Sequence, residues 1–213
     1  MEYLSLADLI DAFVNLDENR VLGIVEKLLR EGTDPSEILE ACRKATTIIG
    51  ERFERGEYFL SELVFASEIF NSVMRVVLPE LKRETKPLGT IVLGTVQGDI
   101  HDIGKNIFKA FAEAAGFKVI DLGVDVPPER FVDAVRTHNP DIVGMSGLLT
   151  ISYESMKKTV NALKEAGLRD RVRVIVGGGR MDEHVKRYVG ADEWADNAML
   201  GIRKCKEMLG LGG

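Results

Sequence analysis

The amino-acid sequence predicts two parts of different class. A four-helix bundle spans residues 1–85, and an α/β part spans 86–213, a flavodoxin-like (Rossmann-like), doubly wound parallel sheet of five strands. Three observations predict it. Up to about residue 82 the apolar residues recur at helical spacing and no segment reads as a strand. The stretch Arg83–Gly89 is charged and interrupted by Pro87 and Gly89, as a linker is. Beyond it, short apolar runs alternate with helical patterns, the order that lays strands parallel and covers both sheet faces with helices.

In the first part, Ser5-Leu6-Ala7-Asp8 is a capping box that opens a helix. Asp17 caps a second helix, which ends at Arg30 before Gly32. Asp34 followed by Pro35 is a cap with proline in the first turn, and the helix after it carries Ile38, Cys42, Ala45, Ile49 and Phe53 on one face until Gly56 ends it. The fourth helix is expected from about Ser61 to Lys82. It carries two apolar stripes: Leu63, Ser67, Phe70, Met74, Val77 and Leu81, and then Phe65, Ile69, Val73 and Val76. Two stripes predict burial on two sides, either at the centre of the bundle or over something held by the second part.

In the second part, strands are expected at 90–95, 118–122, 141–145 and 172–176, with a weak fifth near Glu193-Trp194. Helices are expected at 104–115, 128–137, 153–166, 182–189 and 197–209.

Composition narrows the function. Of 213 residues 45% are hydrophobic, enough for a real core, and a net charge of −6 without a basic patch speaks against a nucleic-acid partner. No apolar run approaches a membrane span, and Met1-Glu2-Tyr3-Leu4 has no basic stretch of an export signal. Cys42 and Cys205 lie far apart on expected helices, so reduced thiols and a cytoplasmic protein are expected.

The chemistry concentrates in Gly98-Asp99-Ile100-His101-Asp102-Ile103-Gly104, between the first expected strand and the helix after it. Open α/β sheets bind ligands at the carboxyl ends of strands. A histidine there, with a carboxylate two residues before it, suits a metal ligand whose second ring nitrogen an acid holds. The plainer reading is a loop histidine in water. Two more motifs follow later strands: Ser146-Gly147-Leu148, after 41 intervening residues from Gly104, and Gly177-Gly178, after 28 from Leu148. Glycines let backbone approach a ligand where a Cβ would collide, whereas a plain turn needs only one. No P-loop pattern is present. Ser152 suits the cap of the helix expected near Tyr153, and His138 and His184 read as solvated.

Together Asp99, His101 and Gly104, Ser146 and Leu148, and Gly177-Gly178 at these spacings resemble the D-x-H-x-x-G, S-x-L and G-G signature of cobalamin-binding corrinoid proteins. The helical part is similar to that family's helical domain, so the resemblance covers nearly the whole chain. It is closest to the corrinoid proteins of multi-component methyltransferase systems.

The resemblance implies cobalamin (methylcobalamin or a related corrinoid) as cofactor, with His101 coordinating cobalt in place of the cofactor's own dimethylbenzimidazole base. The displaced nucleotide tail would enter a slot beside the sheet. There Ser146 and Thr150 offer hydrogen bonds, Leu148 an apolar contact, and Gly177 and Gly178 room. Gly98, Ile100, Asp102, Ile103 and Gly104 complete the histidine loop. Ala198 ends the segment from Glu193 that matches the slot's closing wall, although Trp194 stands where the family often has tyrosine. Gly179-Arg180-Met181 departs from the family's Gly-Ala-Pro. In the methionine synthases a serine at the position of Ser152 hydrogen-bonds the motif aspartate, so a Ser152–Asp99–His101 chain would couple cobalt's oxidation state to a proton. Phe70 and Met74 would shield the upper face of the corrin.

The implied function is a non-catalytic methyl carrier. A substrate-specific methyltransferase would load it from methanol, a methylamine, glycine betaine or a methoxylated aromatic. A second methyltransferase would pass the methyl to tetrahydrofolate or a thiol, and a reductive activase would restore the cofactor. No nucleic acid and no membrane enter this scheme. Two rivals share parts of the layout: a cobalamin-dependent sensor or regulator, for whose DNA-binding domain the chain has no length left, and the cobalamin-binding subunit of a mutase.

Overall fold

A computed structural model of the protein describes residues 4–80, 86–178 and 181–211. The expected helix end at Leu81 and Lys82, the first residues of the expected linker, and the Gly179-Arg180 departure lie outside the described residues. The chain divides into two compact units, Met1–Lys86 and Pro87–Gly213.

The first unit is helical: α1 (Leu6–Val14), α2 (Glu18–Arg30), α3 (Pro35–Glu54) and α4 (Leu60–Val77), closed by a 3-10 turn at Leu78–Glu80. Local chemistry sets the starts. Ser5 N donates to Asp8 Oδ2 at 2.8 Å while Asp8 N donates back to Ser5 Oγ at 3.3 Å, completing the capping box. Asp17 accepts from Arg20 N at 3.0 Å, and Asp34 from Ser36 N at 2.9 Å with Pro35 in the first turn. On α3, Ile38, Cys42, Ala45 and Ile49 are buried, and Phe53 is half-buried.

Helix α4 departs from expectation twice. It stops at Val77, because Pro79 has no N–H to give and restricts the residue before it, so the chain continues only as a 3-10 turn. Its first stripe is buried at Leu63, Ser67, Phe70 and Val77, but the second is buried only at Ile69 and Val73, while Phe65 is 40% exposed.

The second unit is a parallel sheet in the order β2-β1-β3-β4-β5. In chain order its elements are β1 (Thr90–Thr95), α5 (Ile103–Ala114), β2 (Lys118–Asp121), α6 (Pro128–His138), β3 (Ile142–Ser146), α7 (Ser152–Glu165), β4 (Arg173–Gly177), α8 (Glu183–Val189), β5 (Glu193–Ala195) and α9 (Ala198–Met208). The weak fifth strand is present. On one face Val92, Val143, Val174 and Val176 pack with Phe131 and Val135 of α6, Met156 and Val160 of α7, and Val185 of α8. Gly94 is small for a reason: a Cβ there would meet the Phe131 ring at 2.9 Å. Helices α5 and α9 pack together, each against the sheet.

This order places the site. Strand β1 lies between β2 and β3, so the winding direction reverses there, and the loops after β1 and β3 diverge at that point. The register runs level across the carboxyl ends, Thr95 beside Ser146, Ser146 beside Gly177 and Gly177 beside Ala195. All three sequence motifs therefore leave the sheet from one row.

Candidate functional site

The loop after β1 is built around Asp99. Gly98 takes φ +86°, a left-handed turn that glycine supplies without strain. Asp99 follows and is 1% exposed. Its Oδ1 accepts His101 N at 2.9 Å, an Asx turn, and lies 2.7 Å from His101 Nδ1. Its Oδ2 accepts Leu148 N at 2.7 Å, Leu149 N at 3.1 Å and Ser152 Oγ at 2.7 Å. Burial alone would push this carboxyl up. The hydrogen bonds from His101, Ser152 and Leu149 outweigh it and hold the group well below the usual carboxylate range.

An ionised Asp99 can only accept, so Nδ1 of His101 carries a proton, and in the neutral ring Nε2 is the nitrogen with the lone pair. The His101 side chain is half exposed beside an almost fully buried acid. That is the geometry of a metal-ligating imidazole with its tautomer and ring plane fixed from behind.

The loop after β3 holds the other side. Ser152 is not the cap of α7, as its sequence position suggested. It is the first helical residue, the cap position is Ile151 without a side-chain bond, and the hydroxyl is committed to Asp99 instead. Gly178 sits at φ +143°, and a Cβ there would stand 1.9 Å from Gly147 O. The two main chains thus touch where β3 and β4 end, an approach that only glycine at 178 permits.

Of the expected residues, Gly98, Asp99, Ile100, His101, Asp102, Ile103 and Gly104 form one loop running into α5. Ile100 and Ile103 are 72% and 60% exposed. Ser146 ends β3, Leu148 is 45% exposed close after it, and Thr150 is exposed just before the cap of α7. Gly177 ends β4, and Ala198 opens α9 after its cap Asn197. Phe70 and Met74 belong to the helical unit, one turn apart on α4, the first buried and the second half-buried. Cys42 and Cys205 are both buried free thiols that burial pushes up to about 12, so neither offers a thiolate.

Several contributors carried no sequence signal. Leu149 acts through its backbone N–H, which a side-chain pattern cannot show. Gly147 was hidden as the variable residue of S-x-L, yet a Cβ there would stand 2.5 Å from Ser152 Cβ. Asp125, at φ 52°, accepts Gly98 N at 2.8 Å and donates from its own N to Asp99 O at 3.0 Å.

Comparison with known proteins names the chemistry. A family profile described as "B12 binding domain" matches residues 89–203, and a second of the same description matches 5–78. Dimethylamine corrinoid protein 2 of Methanosarcina acetivorans is 39% identical over 207 residues, 96% of this chain and 95% of that protein. The chain belongs to the cobalamin-binding corrinoid proteins of methyltransferase systems. Cobalamin is the cofactor of this corrinoid protein, and cobalt is the metal it brings. The crystal structure of a cobalamin-binding protein from Desulfitobacterium hafniense is 43% identical with a TM-score of 0.78, covering 97% of this chain and 99% of that one. The methanol:cobalamin methyltransferase complex from Methanosarcina barkeri shares the fold, at 23% identity and a TM-score of 0.84 over 96% of this chain and 79% of that one.

The residues fit that cofactor. Among the described residues no cluster of three or more His, Cys, Asp or Glu side chains could cage a metal ion. One oriented imidazole suits a metal that arrives with a ring of ligands already in place. Around it Ile100, Ile103, Leu148, Leu149 and Ile151 leave apolar surface exposed, as a large flat apolar ring requires. Among the described residues no helix is long and apolar enough to cross a membrane.

Proposed function

We propose that this corrinoid protein carries a methyl group on cobalt between two methyltransferases, with His101 as the lower axial ligand. The observation that carries this reading is the line Ser152 Oγ–Asp99–His101 Nδ1, 2.7 Å at each step, which leaves Nε2 as the free donor. When bound, cobalamin supplies a cobalt centre that takes up and gives away a methyl group.

The protein's residues do the rest. Asp99 holds the Nδ1 proton and raises the basicity of Nε2. Leu148 N, Leu149 N and Ser152 Oγ pin Asp99 from the far side, so the acid stays in place when the imidazole approaches or withdraws. Gly98, Ile100, Asp102, Ile103 and Gly104 shape the loop that presents the ring. Ser146, Leu148, Thr150, Gly177, Gly178 and Ala198, at the strand ends beside it, are assigned the nucleotide tail. The name of the dimethylamine relative supports a methylamine as the first donor to try. The partners this reading requires are a donor-specific methyltransferase, a second methyltransferase that delivers to tetrahydrofolate or a thiol, and a reductive activase.

The test labels the ligand. Protein grown with 15N-histidine is loaded with hydroxocobalamin and reduced to the Co(II) form. Electron paramagnetic resonance is expected to show nitrogen doublets from 15N, not the triplets of the cofactor's own 14N base, and the doublets vanish in His101→Ala. Triplets in the labelled wild type would falsify the axial assignment. The reduced holoprotein is then mixed with each candidate donor and cell extract, and loss of the Co(I) absorbance identifies the donor.

A further inference from the structure

The ion pair between buried Lys105 and half-buried Asp121 has no part in the reading above. Lys105 lies in the first turn of α5 and is only 3% exposed. A lysine is buried at high cost unless its donors are met. Here Nζ donates to Asp121 Oδ1 and Oδ2 at 2.8 and 2.7 Å and to Asn106 Oδ1 at 2.8 Å. Asp121 ends β2, accepts Gly123 N at 2.9 Å, and has Lys109 Nζ 3.6 Å away.

Two connections run from this pair to the histidine loop. Asp121 fixes Gly123, the start of the turn that carries Asp125, and Asp125 grips Gly98 N at 2.8 Å and Asp99 O at 3.0 Å. On the other side Asn106, bound to Lys105, donates from Nδ2 to Asp102 Oδ2 at 3.0 Å. The loop is therefore held before His101 at Gly98 and Asp99, and after it at Asp102. Asp99 and Ser152 set the tautomer and tilt of the ring, whereas these contacts set where the backbone carrying it stands.

We propose that Lys105 and Asp121 are positioning residues for His101, and that the pair sets how completely Nε2 occupies the cobalt's lower face. The inference rests on His101 being the axial ligand. The pair Arg169–Asp192, 2.9 Å between Nη2 and Oδ1, provides an internal reference. It also anchors a strand start, with Asp192 Oδ2 accepting Val174 N at 2.6 Å, but it stands at the amino end of the sheet, opposite the histidine loop. If burial of an ion pair near a strand end mattered only for stability, the two pairs would behave alike.

The experiment uses 15N-histidine protein with reduced hydroxocobalamin, and reads the share of cobalt coordinated by 15N against the share bearing the cofactor's 14N base or no axial nitrogen. A second readout needs no cofactor: hydrogen exchange in the apoprotein at the His101 amide, which is bonded to Asp99 Oδ1. Asp121→Asn is expected to lower the ratio of histidine-bound to histidine-free cobalt by about tenfold, the low end for outer-shell changes, and to speed exchange at His101 comparably. The double variant Lys105→Met/Asp121→Leu leaves no lone buried charge and carries the test if Asp121→Asn does not fold. Asp192→Asn is expected to leave both readouts at wild type. Wild-type ratio and exchange in the Lys105 and Asp121 variants, with only the melting temperature lowered, would show that the pair serves the fold alone. A wild type without 15N coupling would overturn the axial reading itself, and this inference with it.

Discussion

The two ends of the parallel sheet are finished in opposite ways. At the carboxyl end, apolar side chains stand in water: Ile100 is 72% exposed, Ile151 64%, Ile103 60% and Leu148 45%. They surround one deeply buried carboxylate. At the amino end, a cavity of about 570 Å³ opens among Asp141, Lys164, Arg169, Asp170, Arg171, Arg173 and Asp192, and several of these charges are tied to neighbouring groups. Arg169 pairs with Asp192, Arg171 donates to Asn139 Oδ1 at 2.6 Å, and Asp141 accepts Thr90 N at 2.7 Å. The hollow end is lined largely by charge, and the flat end by apolar side chains. In this fold the site is marked by exposed apolar side chains and by a buried carboxylate that accepts five hydrogen bonds, rather than by volume.

The strongest way to break that contrast is to add one carbon at each end. In Gly178→Ala the new Cβ would stand 1.9 Å from Gly147 O, a main-chain atom that cannot turn aside. Overpacking costs up to about 3 kcal/mol, which taken from binding is on the order of a hundredfold in Kd for hydroxocobalamin. In Gly190→Ala the left-handed φ of +83° is strained, but the nearest atom is Val160 Cγ1 at 3.5 Å. Stability should fall by about 1 kcal/mol with affinity unchanged. Titration of apoprotein with hydroxocobalamin, followed by absorbance, separates the two. Equal losses of affinity would mean the carboxyl-end backbone contact has no bearing on the cofactor.

A smaller effect is expected from removing one charge at each end. Asp99→Asn must turn its NH2 group toward donors, either His101 N and Nδ1 or Leu148 N, Leu149 N and Ser152 Oγ. Affinity should weaken on the order of tenfold, and the Co(II)/Co(I) midpoint potential should move. Asp141→Asn keeps an oxygen for Thr90 N, so stability should change by only about 0.5 kcal/mol and the potential not at all. Identical potentials in wild type and Asp99→Asn would reduce Asp99 to a loop cap.

The same contrast explains what the sequence disclosed. Strands, helices and caps were legible because each is local: Ser5, Asp17 and Asp34 cap within three residues of themselves. Helix α4 was read too long because its apolar stripe continues past Pro79, where backbone chemistry and not pattern ends it. At the site, His101 and Asp99 were visible because their partnership spans two residues. Ser152 was visible as a candidate, yet from local sequence it reads equally as a helix cap, and only the fold brings its hydroxyl to an acid 53 residues away. Leu149, Asp125 and the Lys105–Asp121 pair act through main-chain atoms or across strands, so no spacing encodes them.

The smallest expected effect is on acid stability, and its sign follows from two depressed carboxyls at the carboxyl end. At Asp99 burial pushes up, and the bonds from His101, Ser152 and Leu149 outweigh it. At Asp121 burial also pushes up, and Lys105 and Gly123 N outweigh that, so both groups sit below their usual range. An unfolded chain therefore takes up protons on these residues before the folded one does. Their contribution to stability is complete above the ordinary aspartate pKa of about 4 and is lost as pH falls through the lower folded values. In an NMR titration of the apoprotein, the amides of Leu148 and Leu149 should move together, and only below pH ~4. The amide of Arg173, which donates to the main-chain oxygen of Asp141 at the other end, serves as reference and should not share that step. Asp99→Asn should abolish the step at Leu148 while leaving the Asp121-linked shift of Gly123 N in place. A Leu148 amide that titrates at the ordinary aspartate pKa would mean that the bonds to Asp99 are too weak in solution to hold its charge, and with it the tautomer of His101.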